Sequence, residues 1–276
     1  MNYRHAYHAG NFADVHKHVA LVAVLLHLRK KETPFAVIDT HAGRGLYDLA
    51  ADESVRTRES EAGVARLARP SSALPALQTY LDIVRSFGVG RYPGSPLIAA
   101  SLLRPQDRLI AIEKHPEEFV VLRKSLAPFA RAKALEADAY ERLPALLPPP
   151  ERRGLVLIDP PYESPDECED VVSAFKSAIR RFATGIYLIW HPLKAAARFD
   201  ALAGEVAAAG GVRLLSLMLD TGAHDAPERL SASGLLVVNP PYEFDMQMRA
   251  VSAELLSQLR QGPQARAGVE WIGAAA

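Results

Sequence analysis

This sequence has almost no cysteine, no net charge and no long apolar run. Cys168 is the only cysteine among 276 residues, which excludes a disulfide framework and a cysteine zinc site. No stretch approaches the roughly 18 consecutive apolar residues of a membrane-spanning helix. The start, Met1-Asn2-Tyr3-Arg4-His5, carries no apolar signal-peptide core, so a cytoplasmic protein is expected. Lys+Arg and Asp+Glu number 32 each, so a nucleic-acid partner would have to be met by a local basic patch. The nine histidines include no H-E-x-x-H pair. His16 and His18, two apart on a helix, do not share a face. No metal is expected.

What is present is a soluble composition, 49% hydrophobic and 23% charged, in which short apolar runs alternate with helical patterns. Residues 13–31 read as a helix closing on Arg29-Lys30-Lys31, cations suited to a helix C-terminus. Seven strands are expected, at 35–39, 108–113, 132–138, 155–158, 185–190, 212–219 and 234–238, separated mainly by helices. That alternation predicts an α/β fold with a mostly parallel, doubly wound, Rossmann-like sheet in a single domain spanning 1–276. Within it, residues 1–33 form an N-terminal segment and helix. Residues 46–96 interrupt the alternation as a small helical insertion bearing Arg56, Arg58, Arg66, Arg69, Arg85 and Arg91.

The functional pattern lies at the strand ends. Asp39, Glu113, Asp138 and Asp159 each follow an apolar run, and in open α/β sheets ligands bind beyond the carboxyl ends of strands. Gly43-x-Gly45 sits in the first strand-to-helix turn, but Asp48 stands where a dinucleotide fingerprint needs its third glycine. An acid after the second strand suits a ribose diol, and one after the third can reach an adenine amine. The pattern is therefore adenosine-like without a phosphate cradle, which fits S-adenosylmethionine. Asp159-Pro160-Pro161-Tyr162 adds a carboxylate, backbone carbonyls stiffened by proline, and an aromatic face. Together these can accept both hydrogens of an exocyclic amine while its ring stacks. Asn239-Pro240-Pro241-Tyr242 repeats the pattern after another apolar run. Its place at the end of the expected last strand argues against it.

Asp39-x-His41-Ala42-Gly43-x-Gly45 with Asp159-Pro160-Pro161-Tyr162 resembles the S-adenosylmethionine-dependent methyltransferases that act on exocyclic amines. The segment from Tyr3 to His18, with Tyr92-Pro93-Gly94-Ser95-Pro96 and Arg181-Phe182-Ala183-Thr184-Gly185, is similar to one bacterial family, the 23S ribosomal RNA adenine-N6 methyltransferases. The resemblance implies a class I methyltransferase fold. It implies that His18, His41, Gly43, Ser95, Glu113, Asp138 and Asp159 contact the cofactor. Asp159, Pro160 and Tyr162 would form the catalytic clamp, and Tyr3, His5 and Lys17 would face the RNA. The wider amino-methylating class usually carries an aromatic at the position of His41. The implied partner is 23S ribosomal RNA in a protein-free or early assembly form, met by a monomer. A DNA adenine methyltransferase and a non-catalytic RNA-binding module are the competing readings. Two segments carry surplus positive charge, residues 1–32 with a net of +3 and residues 56–104 with a net of +4. Both are expected to meet RNA phosphates.

Overall fold

The computed structural model describes residues 5–67, 71–193, 196–209, 213–224 and 230–273. A 3₁₀ turn, His5–Tyr7, leads into helix α1 (Phe12–Arg29). Asn11 caps that helix, its side chain accepting from the Asp14 N–H at 2.9 Å. Strand β1 (Ala36–Asp39) follows. The chain then makes an excursion: β2 (Leu46–Asp48), α2 (Asp52–Thr57), 3₁₀ turns Glu59–Ala62 and Val64–Leu67, α3 (Pro75–Ser86) and β3 (Arg91–Pro93). β2 and β3 pair antiparallel and close the excursion at its base.

Regular alternation resumes with α4 (Ser95–Ser101), β4 (Arg108–Glu113), α5 (Pro116–Leu126), β5 (Ala132–Glu136), α6 (Ala139–Arg142) and β6 (Gly154–Ile158). It continues through α7 (Glu167–Arg181), β7 (Ile186–Pro192), α8 (Ala196–Ala208) and β8 (Leu214–Asp220). The last elements are β9 (Ala232–Val238), α9 (Phe244–Leu259) and β10 (Arg266–Ile272).

The main sheet has eight strands in the order β10-β8-β9-β7-β6-β1-β4-β5. All seven expected strands are in it. The eighth, β10, lies in what reads as a tail from sequence. It is a half-exposed edge strand containing Gly268 and Glu270, so it lacks the continuous apolar run that marks a buried strand. β5, β4, β1, β6 and β7 run parallel, whereas β9 runs antiparallel to both of its neighbours. Every residue of β1, β6 and β9 is buried.

One apolar layer packs α1, α3, α4 and α9 on one face of the sheet, and α7 and α8 cover the other. α1 is apolar on nearly all sides, as a helix enclosed by other elements must be, with α3, α4, α9 and β9 around it. This enclosure brings Asp14, Lys17 and His18 into the interior. Among the described residues no helix is long and apolar enough to cross a membrane.

Candidate active site

Parallel strands bring their carboxyl ends to one edge, and that edge holds a cavity of about 530 Å³. Its size is ordinary for a small-molecule site. The acids at the ends of β4 and β6 line it, together with Asp138 beyond β5, the turn at 40–43 and the first turn of α1. Among the described residues, the wall holds eight carboxylates and two lysines, Lys17 and Lys114. Such a wall favours a cationic ligand or a neutral base over a phosphate.

Asp159 stands one residue past β6, and Lys17 Nζ donates a hydrogen bond to its Oδ2. The same ammonium donates to Asp14 Oδ1 at 2.9 Å. Burial alone would pull the Lys17 amine down, but Asp14 and Asp159 outweigh it and hold the group charged above an ordinary lysine. Tyr162 adopts left-handed backbone, with φ 55°. Its hydroxyl donates to the Trp190 carbonyl at 2.8 Å, and the two rings lie 5.9 Å apart and tilted. That bond fixes Tyr162 at the cavity edge, and burial pushes its phenol well above the usual range. Trp190 in turn donates its indole N–H to Ser233 Oγ at 3.0 Å.

Around the glycine turn, Gly43 has φ 61°, and a Cβ there would meet the Tyr47 hydroxyl at 2.2 Å. The left-handed backbone favours glycine, and a side chain there would have to displace the Tyr47 hydroxyl. The Gly43 N–H donates to Glu113 Oε2 at 2.8 Å, and the His115 N–H donates to Oε1 at 2.7 Å. Burial raises the Glu113 carboxyl above its usual value. Asp138 caps α6 through the Tyr140 N–H at 2.9 Å and takes Lys114 Nζ at 2.7 Å. Burial would raise it, but the lysine and the cap hold it below the usual carboxylate range.

His41 shares a 2.7 Å hydrogen bond with Thr40 Oγ1 and lies against the Tyr140 ring at 5.3 Å. Burial pushes His41 down to about 4. His18 is buried, bonded through Nδ1 to the Tyr92 hydroxyl at 2.7 Å and pushed by burial to about 3. Ser95 donates to Asp39 Oδ2 at 2.7 Å, and burial raises the Asp39 carboxyl to about 7.

The cavity wall thus brings together His5, Lys17, His18, His41, Gly43, Ser95, Glu113, Asp138, Asp159, Pro160 and Tyr162. Tyr3 lies outside the described residues. His5 Nε2 bonds Asp14 Oδ2 at 2.9 Å and packs edge-on to Tyr47 at 5.3 Å. Lys17, expected to face RNA, is only 4% exposed, so it can meet only a group that enters the cavity.

The surplus charge of residues 1–32 also divides. Arg29, Lys30 and Lys31 are exposed at the far end of α1, roughly 18 Å from Lys17 at about 1.5 Å per residue. There Arg104 donates to the Lys31 carbonyl at 2.9 Å and Arg153 to the Leu28 carbonyl at 2.5 Å, so cations gather at a helix C-terminus.

The Asn239-Pro240-Pro241-Tyr242 turn is placed by strand direction. β9 is antiparallel, so Asn239 emerges beside the start of β7, and its Nδ2 donates to the carbonyls of Ala183 (2.8 Å) and Gly185 (2.9 Å). It is at the opposite edge from Asp159. Asp14, Tyr47, Tyr140 and Glu118 are cavity residues that sequence reasoning did not single out. Asp14 could have been found, because it lies three and four residues before Lys17 and His18 on the same helix face.

A family model described as "Ribosomal RNA large subunit methyltransferase D, RlmJ" matches residues 32–273. The chain is 38% identical over 276 residues to Ribosomal RNA large subunit methyltransferase J of Escherichia coli, covering 99% of each chain. It is 36% identical over 277 residues to the protein of that name from Haemophilus influenzae, again covering 99% of each. The crystal structure of protein LPL1258 from Legionella pneumophila superimposes with a TM-score of 0.88 at 32% identity, covering 96% of this chain and 98% of that one. With a cavity built on the Asp159 turn and similarity running through its whole length, the chain belongs to the family of ribosomal RNA large subunit methyltransferase J.

Proposed function

We propose that this protein transfers a methyl group from S-adenosylmethionine to the exocyclic N6 amine of an adenine in 23S ribosomal RNA. The observation that carries the reading is the Asp159 turn, set at the carboxyl edge of the sheet within a cavity and backed by Tyr162 and Trp190. The anionic wall fits the cofactor, whose sulfonium and amino group are both cationic. Glu113 lies one strand over from Asp39, where a carboxylate suits a ribose diol, and Asp138 one strand further, toward the adenine end. His18, His41, Gly43 and Ser95 close the wall nearer α1 and the glycine turn. His41 takes the place of an aromatic, and its flat ring against Tyr140 supplies a packing surface without a charge.

When bound, S-adenosylmethionine supplies the methyl group on a sulfonium as the electrophile. The protein's part is to hold the amine. Its lone pair is delocalised into the ring, so the nitrogen must be gripped as it becomes tetrahedral. Asp159 and the Pro160 carbonyl accept its two N–H bonds and stabilise the positive charge that develops there, a preorganised electrostatic effect, and one of those protons is lost after the methyl group has been transferred. Tyr162 offers a ring face to the base. The adenine reaches this depth only unstacked or single-stranded. His5 and Lys17 meet the nucleotide as it enters. Tyr3 and the arginines of residues 46–96 contribute to RNA binding. A monomer acting on protein-free or early-assembly ribosomal RNA suffices.

The test is methylation of protein-free 23S ribosomal RNA, 16S ribosomal RNA and duplex DNA by the purified protein with tritiated cofactor. Label in 23S ribosomal RNA alone is expected. Preferential labelling of DNA would overturn the substrate, and no labelling of any of the three would overturn the reading.

A further inference from the structure

The contact between Lys17 and Asp159 poses a chemical problem. The oxygen that Lys17 occupies belongs to the carboxylate that must take the incoming amine. Lys17 is enclosed, with its ammonium 6.0 Å from the centre of the Trp190 ring and no more than 5% of its side chain exposed. An ammonium in such a place is held wherever its anions are.

Asp14 is the second anion. It is 2% exposed and sits one helical turn before Lys17. Its position is itself fixed: the Gly10 N–H donates to Oδ2 at 2.9 Å, His5 Nε2 bonds the same oxygen at 2.9 Å, and its own N–H is held by Asn11. Oδ1 is left to Lys17 at 2.9 Å, with His18 Nε2 4.0 Å away.

We propose that Asp14 is a positioning residue for methyl transfer, which shares the Lys17 ammonium with Asp159 and so leaves the Asp159 carboxylate aligned and available to the amine. With Asp14 neutral, the whole ammonium falls to Asp159, which is then both neutralised and turned away from the base. Burial would raise the Asp14 carboxyl, yet His5 and Lys17 keep it well below the usual range, so the second anion is present at every working pH. Asp14 does not touch the reacting atoms. It acts through Lys17, and residues that act as a unit lose activity non-additively.

This inference rests on the reading that Asp159 receives the amine. The experiment is a double-mutant cycle on the full-length protein: wild type, Asp14→Asn, Lys17→Met and the pair, with Asp159→Ala alongside. For each, turnover on 23S ribosomal RNA, the Kd for S-adenosylmethionine by calorimetry and the melting temperature are measured. Asp14→Asn is expected to lower kcat at least tenfold with cofactor Kd within threefold of wild type. Added to Lys17→Met, it is expected to cost less than threefold more.

Multiplied losses in the pair would assign Asp14 a structural role and overturn the proposal, as would Asp14→Asn turning over within threefold of wild type. Should Asp14→Asn fail to fold, Asp14→Glu decides, because it keeps the charge and shifts it by one methylene. A folded Asp14→Glu enzyme slowed tenfold at unchanged cofactor affinity supports the proposal, and one at wild-type turnover overturns it. An active Asp159→Ala enzyme would instead sink the reading beneath it.

Discussion

Two turns of this molecule carry nearly the same four residues, Asp159-Pro160-Pro161-Tyr162 and Asn239-Pro240-Pro241-Tyr242, and differ in almost everything else. Each includes a non-glycine residue in left-handed backbone, Tyr162 at φ 55° and Asn239 at φ 54°. The first ends a parallel strand, so Asp159 is in the cavity against Lys17 and Tyr162 is tied to Trp190. The second ends an antiparallel strand at the other edge of the sheet, where Asn239 caps the turn at Ala183 and Gly185 and Tyr242 is 79% exposed. The motif supplies an acceptor and an aromatic. Strand direction decides whether they face a ligand or hold a corner.

The largest expected contrast is in turnover. Asp159→Ala should lower kcat by roughly 10²–10³ or more, the scale of losing one preorganised group aimed at developing charge. Asn239→Ala should stay within about twofold, since Asn239 is not among the described residues that line the cavity. Tritium transfer with both folded variants checks this, and comparable losses in both would erase the distinction between the turns.

Acid should separate the two edges next. Burial leaves His16 and His18 at about 3 and His41 and His191 at about 4, against 6.5 for the free ring. Groups with depressed folded values contribute stability above the unfolded value, and that contribution is lost as pH falls. The melting temperature should therefore fall steeply between about pH 6.5 and 4. Asp39 has the opposite sign: raised to about 7 from 3.8, it favours the fold at low pH, and that contribution is lost as pH rises through 7. Asp39→Asn should raise the melting temperature at pH 8 by several degrees relative to its effect at pH 4. A flat profile for both proteins by scanning calorimetry would mean these groups are not buried as described.

Cofactor binding gives a smaller effect at the first edge. Glu113→Ala removes a carboxylate suited to two ribose hydroxyls, costing roughly 1.5–3 kcal/mol, or about 10- to 150-fold in Kd for S-adenosylmethionine. RNA affinity should hold within twofold. Equal weakening of both ligands by calorimetry and filter binding would place the cofactor elsewhere.

At the second edge the effect is on stability alone. Asn239→Ala deletes two side-chain hydrogen bonds, each worth about 0.5–1.5 kcal/mol, at a backbone angle that alanine tolerates poorly. Denaturant unfolding should show a loss of about 1–3 kcal/mol. No loss would deny Asn239 its structural part.

Much of this was legible in the sequence because buried parallel strands are written as continuous apolar runs: Leu155-Val156-Leu157-Ile158 can be little else. The acids after those runs located the edge where the cavity forms. β10 was not legible, being half exposed, and β2 and β3 are three residues each, too short for a period to show. The direction of β9 was readable in principle. A parallel neighbour needs a crossover, usually a helix, whereas residues 221–231 between β8 and β9 carry no helical pattern. Asp14, and the contact of Lys17 with Asp159, escaped because a helix read as hydrophobic draws attention away from its polar residues, while these carboxylates and the ammonium meet only once the helix is buried beside β6.

The most direct measurement is the identity of the methylated nucleoside made by wild type, Asp159→Ala and Asn239→Ala on protein-free 23S ribosomal RNA. The RNA is digested after reaction with labelled S-adenosylmethionine and the nucleosides are resolved by mass spectrometry. Wild type and Asn239→Ala should both yield N6-methyladenosine, and folded Asp159→Ala none above background. Label on a ribose or another base, or N6-methyladenosine made by Asp159→Ala, would contradict an amine held by the Asp159 turn.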